Sequence, residues 1–258
     1  MESRLPPLSA LAGDIAACVG FYTRLPVSGG SSIGRTLADA QWAAPVAGLL
    51  VGLFVALSLW LATALGVPAG VAAALALAAG IVATGALHED GLADVADGFG
   101  GGRTPDDKLA IMKDSRIGTY GTLALGLSLV ARWAALTAIA AAAPIIMVLA
   151  IVAAHAVARA AIPAMMHLLP PARPGGLSAG VGRVGAGTAL AAGLIGLFAM
   201  LASGFWFALL GVLLLAGVFL VLSELARRQI GGQTGDVLGA LEQAGEIAVL
   251  ALAATLLI

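Results

Sequence analysis

The hydrophobic residues of this chain come in long runs separated by short polar islands. A helix needs about 20 apolar residues to cross the hydrocarbon core of a bilayer, and seven runs approach that length: 42–65, 69–88, 120–142, 145–168, 185–203, 205–225 and 239–258. Three successive pairs meet at very short links, around Gly66 to Pro68, at Pro144 and at Ser203 to Gly204, which read as tight helical hairpins. The pattern predicts an all-α, polytopic membrane helix bundle of about seven transmembrane helices, forming a single domain over 1–258. The opening segment, 1–41, holds a short apolar run broken by Asp14 and lacks the order of a secretory signal. It reads as a cytoplasmic segment with an amphipathic helix at the interface.

Composition agrees with a membrane protein. The chain is 60% hydrophobic and 10% charged with a mean hydropathy of +1.04, whereas about a quarter of the residues of a soluble domain are charged. A net charge of -1 and dispersed basic residues exclude a nucleic-acid partner and leave the lipid bilayer as the surrounding medium. The single cysteine, Cys18, excludes an internal disulfide. Cytoplasmic loops carry the excess of Lys and Arg, and eleven of the thirteen basic residues fall on one side of the seven-span arrangement; Arg132 and Arg159 lie inside spans. This predicts a cytoplasmic N-terminus and an external C-terminus. The spans are rich in Ala and Gly, which let helix backbones approach closely, although a GC-rich genome produces the same bias. The tryptophans Trp42, Trp60, Trp133 and Trp206 and His167 fit interface anchors or packing.

Polarity concentrates in the island 88–121, HEDGLADVADGFGGGRTPDDKLAIMKDSRIGTYG, which holds seven of the fourteen acids and four of the thirteen bases. Asp90, Asp94 and Asp97 are spaced i, i+4 and i+7, within a sector of roughly 60° on a helix. Carboxylates so placed repel one another unless a cation lies among them, and Mg²⁺, which takes oxygen ligands and shares them with phosphates, suits the set. The bland alternative is a solvated helix end. Glu89 points elsewhere. Gly98, Gly100, Gly101 and Gly102 are expected to end the helix and free N–H groups for an anion. Thr104 and Pro105 open a short helix, so Asp106 and Asp107 read as acids complementing its dipole. Lys113 and Arg116 suit a diphosphate, with Asp114 as a ligand or general base, and Gly118 and Thr119 adjoin them as candidate substrate contacts.

A second island, GGQTGDVLGALEQAGE, leads into the last span and adds Thr234, Asp236, Glu242 and Glu246 as candidate substrate contacts. Glu242 and Glu246 share a helical face, and carboxylates within a span mark function. Arg159, with His155 four residues earlier, either pairs with these acids or reaches a phosphate; His88 either orients a carboxylate or is an interfacial residue. Arg132 reads as structural.

The motifs HEDGLADVADG, IMKDSRIGTYG and GGQTGDVLGA, with FYTRLPV near the N-terminus, closely resemble the cobalamin-5'-phosphate synthase family, the adenosylcobinamide-GDP ribazoletransferases. The resemblance implies an enzyme of the bacterial inner membrane, its site facing the cytoplasm, that joins adenosylcobinamide-GDP to α-ribazole or its 5'-phosphate with Mg²⁺ and releases GMP. It also implies that Asp90, Asp94 and Asp97 form the family's acidic motif and Lys113, Asp114 and Arg116 its second motif. A ribose hydroxyl is expected to attack the phosphorus on the cobinamide side, with Asp94 or Asp97 taking the proton and Lys113 and Arg116 steadying the leaving phosphate. A homo-oligomer, or association with other cobalamin-assembly enzymes, is compatible with this reading. The rivals are another Mg²⁺-dependent membrane transferase, of the CDP-alcohol phosphotransferase or prenyltransferase kind, and a transporter, whose acids belong near the bilayer midplane.

Overall fold

The computed structural model describes residues 8–27 and 34–257, so Arg4 and the terminal Ile258 lie outside the described residues. The described chain is helical. In order the helices are α1 (Leu8–Tyr22), α2 (Leu37–Ala40), α3 (Ala44–Ala64), α4 (Ala69–Thr84), α5 (Leu87–Gly101) and α6 (Pro105–Ile111). They continue with α7 (Thr119–Ile139), α8 (Pro144–Leu168), α9 (Leu177–Val181), α10 (Ala186–Ala202), α11 (Phe205–Ile230) and α12 (Gly235–Leu256). One isolated backbone bridge, Pro171 to Gln233, is the extended pairing among the described residues.

A helix forms at each of the seven apolar runs, and the three hairpins close where the short links predict, two of them on left-handed glycines: Gly66 at φ +81° and Gly204 at φ +121°. Among the described residues five helices are long and apolar enough to cross a membrane, or six if the bent pair α4–α5 counts as one span. The expected seven spans are therefore not all matched by helices of full spanning length. α4 is only 16 residues long and α10 only 17.

The bundle is built on small residues. A Cβ at Gly48 would lie 2.4 Å from the backbone oxygen of His155, and one at Gly52 would lie 2.8 Å from Val152 Cα, so α3 and α8 meet almost backbone to backbone. α8 and α12 are the most enclosed staves, while Leu127, Val130, Phe198, Trp206, Leu213 and Leu220 turn outward as the apolar girdle a bilayer requires.

The decisive break lies between α4 and α5. Gly85 and Ala86 both adopt left-handed backbone, at φ +66° and +59°, and α5 leaves at 89° to α4. Arg24, from the FYTRLPV segment, holds this corner: its N–H donates to Ala83 O at 2.7 Å, and its side chain occupies the place a Cβ on Gly85 would take, 2.3 Å from Nε. α1 is fastened beside it. Asp14 is fully buried, accepting from Arg35 at 2.9 and 2.6 Å and from Trp42 Nε1 at 2.8 Å, which gives Trp42 a packing role. Trp60, Trp133 and Trp206 remain exposed.

Candidate active site

α5 lies against the start of α12 along a seam that only glycine permits. A Cβ on Gly91 would lie 2.8 Å from Asp236 O, and one on Gly239 would lie 3.2 Å from His88 Cα. The DG of the first motif and the GDVLG of the third are thus two halves of one contact. It brings Asp236, in the first turn of α12, to the acids of α5: Asp90, Asp97 and Asp236 are all close enough to act on Asp94. Asp90 is exposed and Asp94 and Asp236 are half-buried, so the face opens to solvent. Arg173, in the loop after α8, reaches Asp236 Oδ2 at 3.3 Å and Leu109 O at 3.2 Å. That loop is held by paired backbone bonds of 2.8 Å, Gln233 N–H to Pro170 O and Ala172 N–H to Gln233 O. Thr234 caps α12, accepting from Val237 N–H at 3.3 Å and donating to Asp236 Oδ2 at 3.2 Å.

Asp97, expected as a metal ligand and catalytic acid, also has a structural task. Its Oδ2 accepts the Gly118 N–H at 2.7 Å and its Oδ1 the Gly121 N–H at 2.9 Å, anchoring the start of α7. Cβ atoms at Gly118 and Gly121 would lie 2.5 and 2.3 Å from this carboxylate, which explains the GTYG spacing. Gly118 contributes this backbone contact, and Thr119 begins α7 exposed. The glycines of the first motif also differ from expectation. α5 continues through Gly101, and a Cβ on Gly98 would meet Met112 Cγ at 2.5 Å and one on Gly100 the Tyr120 ring at 2.7 Å. They admit α6 and Tyr120 against α5 and form no anion loop.

α6 begins as the sequence indicates, on a capping box in which Asp107 N–H donates to Thr104 Oγ1 at 3.2 Å and Thr104 N–H to Asp107 Oδ2 at 3.1 Å. That contact draws the Asp107 carboxyl below its ordinary range. Asp114 and Arg116 are paired with each other on an exposed turn, at 2.6 Å, and the Arg116 guanidinium pulls the Asp114 carboxyl down to about 2. A carboxylate that weakly basic is a poor general base near neutral pH, which weighs against that role for Asp114. Lys113 is exposed and without an ion pair among the described residues.

The charges within the bundle turn to one another. Arg159 Nη1 stands 2.6 Å from Glu242 Oε1; Arg132 Nη1 reaches Glu89 at 2.9 Å and Glu246 at 3.5 Å; His155 Nδ1 lies 2.8 Å from Glu246 Oε2. Gln243 Nε2 donates to Glu242 at 3.1 Å, and His88 Nδ1 is 3.6 Å from the same carboxylate. All are buried, with Arg159 at 1% and Glu242 at 0% exposure. Arg159, Glu242 and Glu246, expected as substrate contacts, are engaged with one another in an ion-pair network behind the acid face. One ligand atom each from His155, Glu242 and Glu246 lies within 4.8 Å of the others, as a metal would need. The two guanidiniums already supply the positive charge there.

One residue of the acid face carried no sequence signal, and the other was expected only as a substrate contact. Arg173 sits in an ordinary polar loop, and Asp236 acquires its place only through the Gly91 contact, although its island was conspicuous.

A family model described as cobalamin-5-phosphate synthase matches residues 14–254. The chain is similar to a protein named adenosylcobinamide-GDP ribazoletransferase from Mesorhizobium japonicum, with 52% identity over 95% of this chain and 93% of the relative. Proteins of the same name from Bradyrhizobium diazoefficiens and Azorhizobium caulinodans are 54% and 43% identical, covering 93% and 94% of this chain and 93% and 95% of theirs. No solved structure matches the chain. A match over nearly the full length places this chain in the cobalamin-5-phosphate synthase family.

Proposed function

We propose that the protein joins adenosylcobinamide-GDP to α-ribazole or α-ribazole 5'-phosphate and releases GMP, at the face formed by Asp90, Asp94 and Asp236 with Arg173. The observation that carries this is the convergence of acids from two distant motifs with a guanidinium beside them, in a chain whose relatives bear the ribazoletransferase name. A phosphoryl-transfer enzyme needs charge compensation and positioning more than covalent chemistry, and this face provides both signs. The family match leaves the lipid-linked transferases and the transporter without support.

The donors fit Mg²⁺. Three carboxylates that act on one another, open to solvent, supply hard oxygen ligands with room for retained water and phosphate oxygens. Asp90, Asp94 and Asp236 would hold the ion, which when bound neutralises charge on the diphosphate. Asp97 keeps its work at the start of α7. Arg173, 3.3 Å from Asp236, is positioned to bind the diphosphate of the corrinoid substrate and to steady the phosphate leaving with GMP. Lys113 and Arg116, exposed on the neighbouring turn, guide the anionic substrate in. Asp94, half-buried among like charges, is the group placed to take the proton of the attacking ribose hydroxyl.

The site faces the cytoplasm of the inner membrane on this reading, supported by the basic residues gathered at its end of the bundle: Arg24 at the α4–α5 corner, Arg35 on Asp14, Lys108 on Gln229 and Arg173 on Asp236. Purified protein supplied with adenosylcobinamide-GDP, α-ribazole and Mg²⁺ should release GMP, and Asp90→Asn and Asp94→Asn should each abolish release while the protein stays folded in the membrane. Near-full activity in either variant would remove that acid from the site.

A further inference from the structure

A second cavity lies on the other side of the seam, between α1, α5, α8, α9 and the start of α12, with a volume of about 40 Å³. Its wall is mostly apolar, with Phe21, Ile162, Met166, Val181 and Leu238 among the lining residues. Gln41 and His88 interrupt it, and they are 0% and 2% exposed. The Tyr22 hydroxyl donates to Gln41 Oε1 at 2.6 Å, so the amide presents its Nε2 inward, and that nitrogen has no hydrogen-bond partner. His88 stacks on Tyr22 with ring centroids 5.9 Å apart, and neither ring nitrogen is hydrogen-bonded.

A buried donor left unpaired costs roughly 1–3 kcal/mol, and here such donors border an apolar space. The complementary ligand is flat, apolar and an acceptor. Guanine fits less well, because its several N–H groups outnumber the acceptors of a wall whose free amide is a donor and whose His88 offers at most one acceptor nitrogen. A corrin is far too large. A benzimidazole fits: once joined to ribose it has no N–H and keeps one unsubstituted ring nitrogen as an acceptor.

The cavity also lies where the other half of that molecule has to reach the acid face. Gly235 lines it and packs against Leu177, a Cβ there standing 3.6 Å from Leu177 Cβ. The next residue along α12 is Asp236, and its partner Arg173 lies in the loop that leads into α9 at Leu177 and Ser178. A bicyclic ring exceeds 40 Å³, so a wall must give. α9, a single five-residue helix bracketed by left-handed Gly175, Gly176 and Gly182, at φ +87°, +96° and +92°, is the wall that this occupancy requires to shift outward.

We propose that this cavity is the pocket for the base of the acceptor: it takes the benzimidazole of α-ribazole, with Gln41 Nε2 donating to the unsubstituted ring nitrogen and His88 and Tyr22 beside the ring. The inference rests on the ribazoletransferase reading. Two variants test it in the full-length protein. Gln41→Glu keeps the acceptor for Tyr22 and replaces the free donor with an oxygen; Leu238→Phe fills the cavity. Each should raise the KM for α-ribazole by about tenfold or more, the loss of one buried hydrogen bond or of the ring's space. KM for adenosylcobinamide-GDP and the melting temperature should stay at wild-type values in at least one of the two.

An unchanged KM for α-ribazole in a folded variant, or a rise confined to the corrinoid substrate, overturns the pocket. Calorimetric titration of α-ribazole into the protein without corrinoid separates the two claims. Saturable binding that Gln41→Glu weakens supports the pocket even if no GMP is ever released, in which case the transferase reading alone fails. No binding, with water as the cavity's sole occupant, overturns the pocket while GMP release still upholds the enzyme.

Discussion

Replacing Arg159 by Met separates a structural network from a substrate contact. The guanidinium is 1% exposed, stands 2.6 Å from Glu242 Oε1, and donates to His155 O at 3.1 Å. Met preserves much of the volume and removes the charge, leaving Glu242 buried with only Gln243 as a hydrogen-bond partner and His88 at 3.6 Å. Breaking a buried pair in this way costs about 3–5 kcal/mol. For a chain of this size that corresponds to a fall in melting temperature of roughly 6–20 °C. The double variant Arg159→Met, Glu242→Gln removes both charges and keeps an acceptor for Gln243, so it should recover most of the loss. The assay is thermal unfolding of the detergent-purified protein, with GMP release measured well below the transition. A single variant that melts like wild type but shows a raised KM for adenosylcobinamide-GDP would refute the reasoning, since Arg159 would then be a substrate contact.

Two further outcomes follow from the motif residues. Asp97→Ala removes both acceptors at the start of α7 and should destabilise the protein by about 1–2 kcal/mol, read as a lowered melting temperature; an unchanged melting temperature would deny the anchoring role. Asp114 has its carboxyl pulled to about 2 by Arg116, so that pair is lost only as pH falls from the ordinary carboxylate range towards 2. Asp114→Asn should therefore leave the shape of the pH–rate profile unchanged at neutral pH, and loss of its acidic limb would restore Asp114 as the general base.

The helices were legible because a bilayer imposes one simple length rule, and the apolar runs obey it closely enough to locate every long helix. Their status as spans was less legible. The run 69–88 is apolar throughout, yet Gly85 and Ala86 turn the chain through a right angle near its end, and hydropathy does not record backbone handedness. The acids of α5 were legible from their spacing, but the tasks within that spacing were not. Asp97 shares a face with Asp90 and Asp94, and only the arrival of Gly118 and Gly121 from a segment about twenty residues away turns it into an anchor. The glycines misled for a related reason: a glycine that frees an amide for an anion and one that admits a neighbouring helix are identical in sequence. Arg173 and Gln41 gave no local signal, since each acquires its place from contacts made across the fold.

On the proposed reading the open face of Asp90, Asp94 and Asp236 holds the divalent cation, while the buried His155, Glu242 and Glu246 do not. Mn²⁺ titration of the full-length protein in the presence of GDP, followed by electron paramagnetic resonance, tests it directly. The account predicts saturable Mn²⁺ binding that Asp94→Asn weakens by about tenfold or more and Glu246→Gln leaves unchanged. Binding that survives Asp94→Asn and disappears in Glu246→Gln would contradict it and move the metal centre into the bundle.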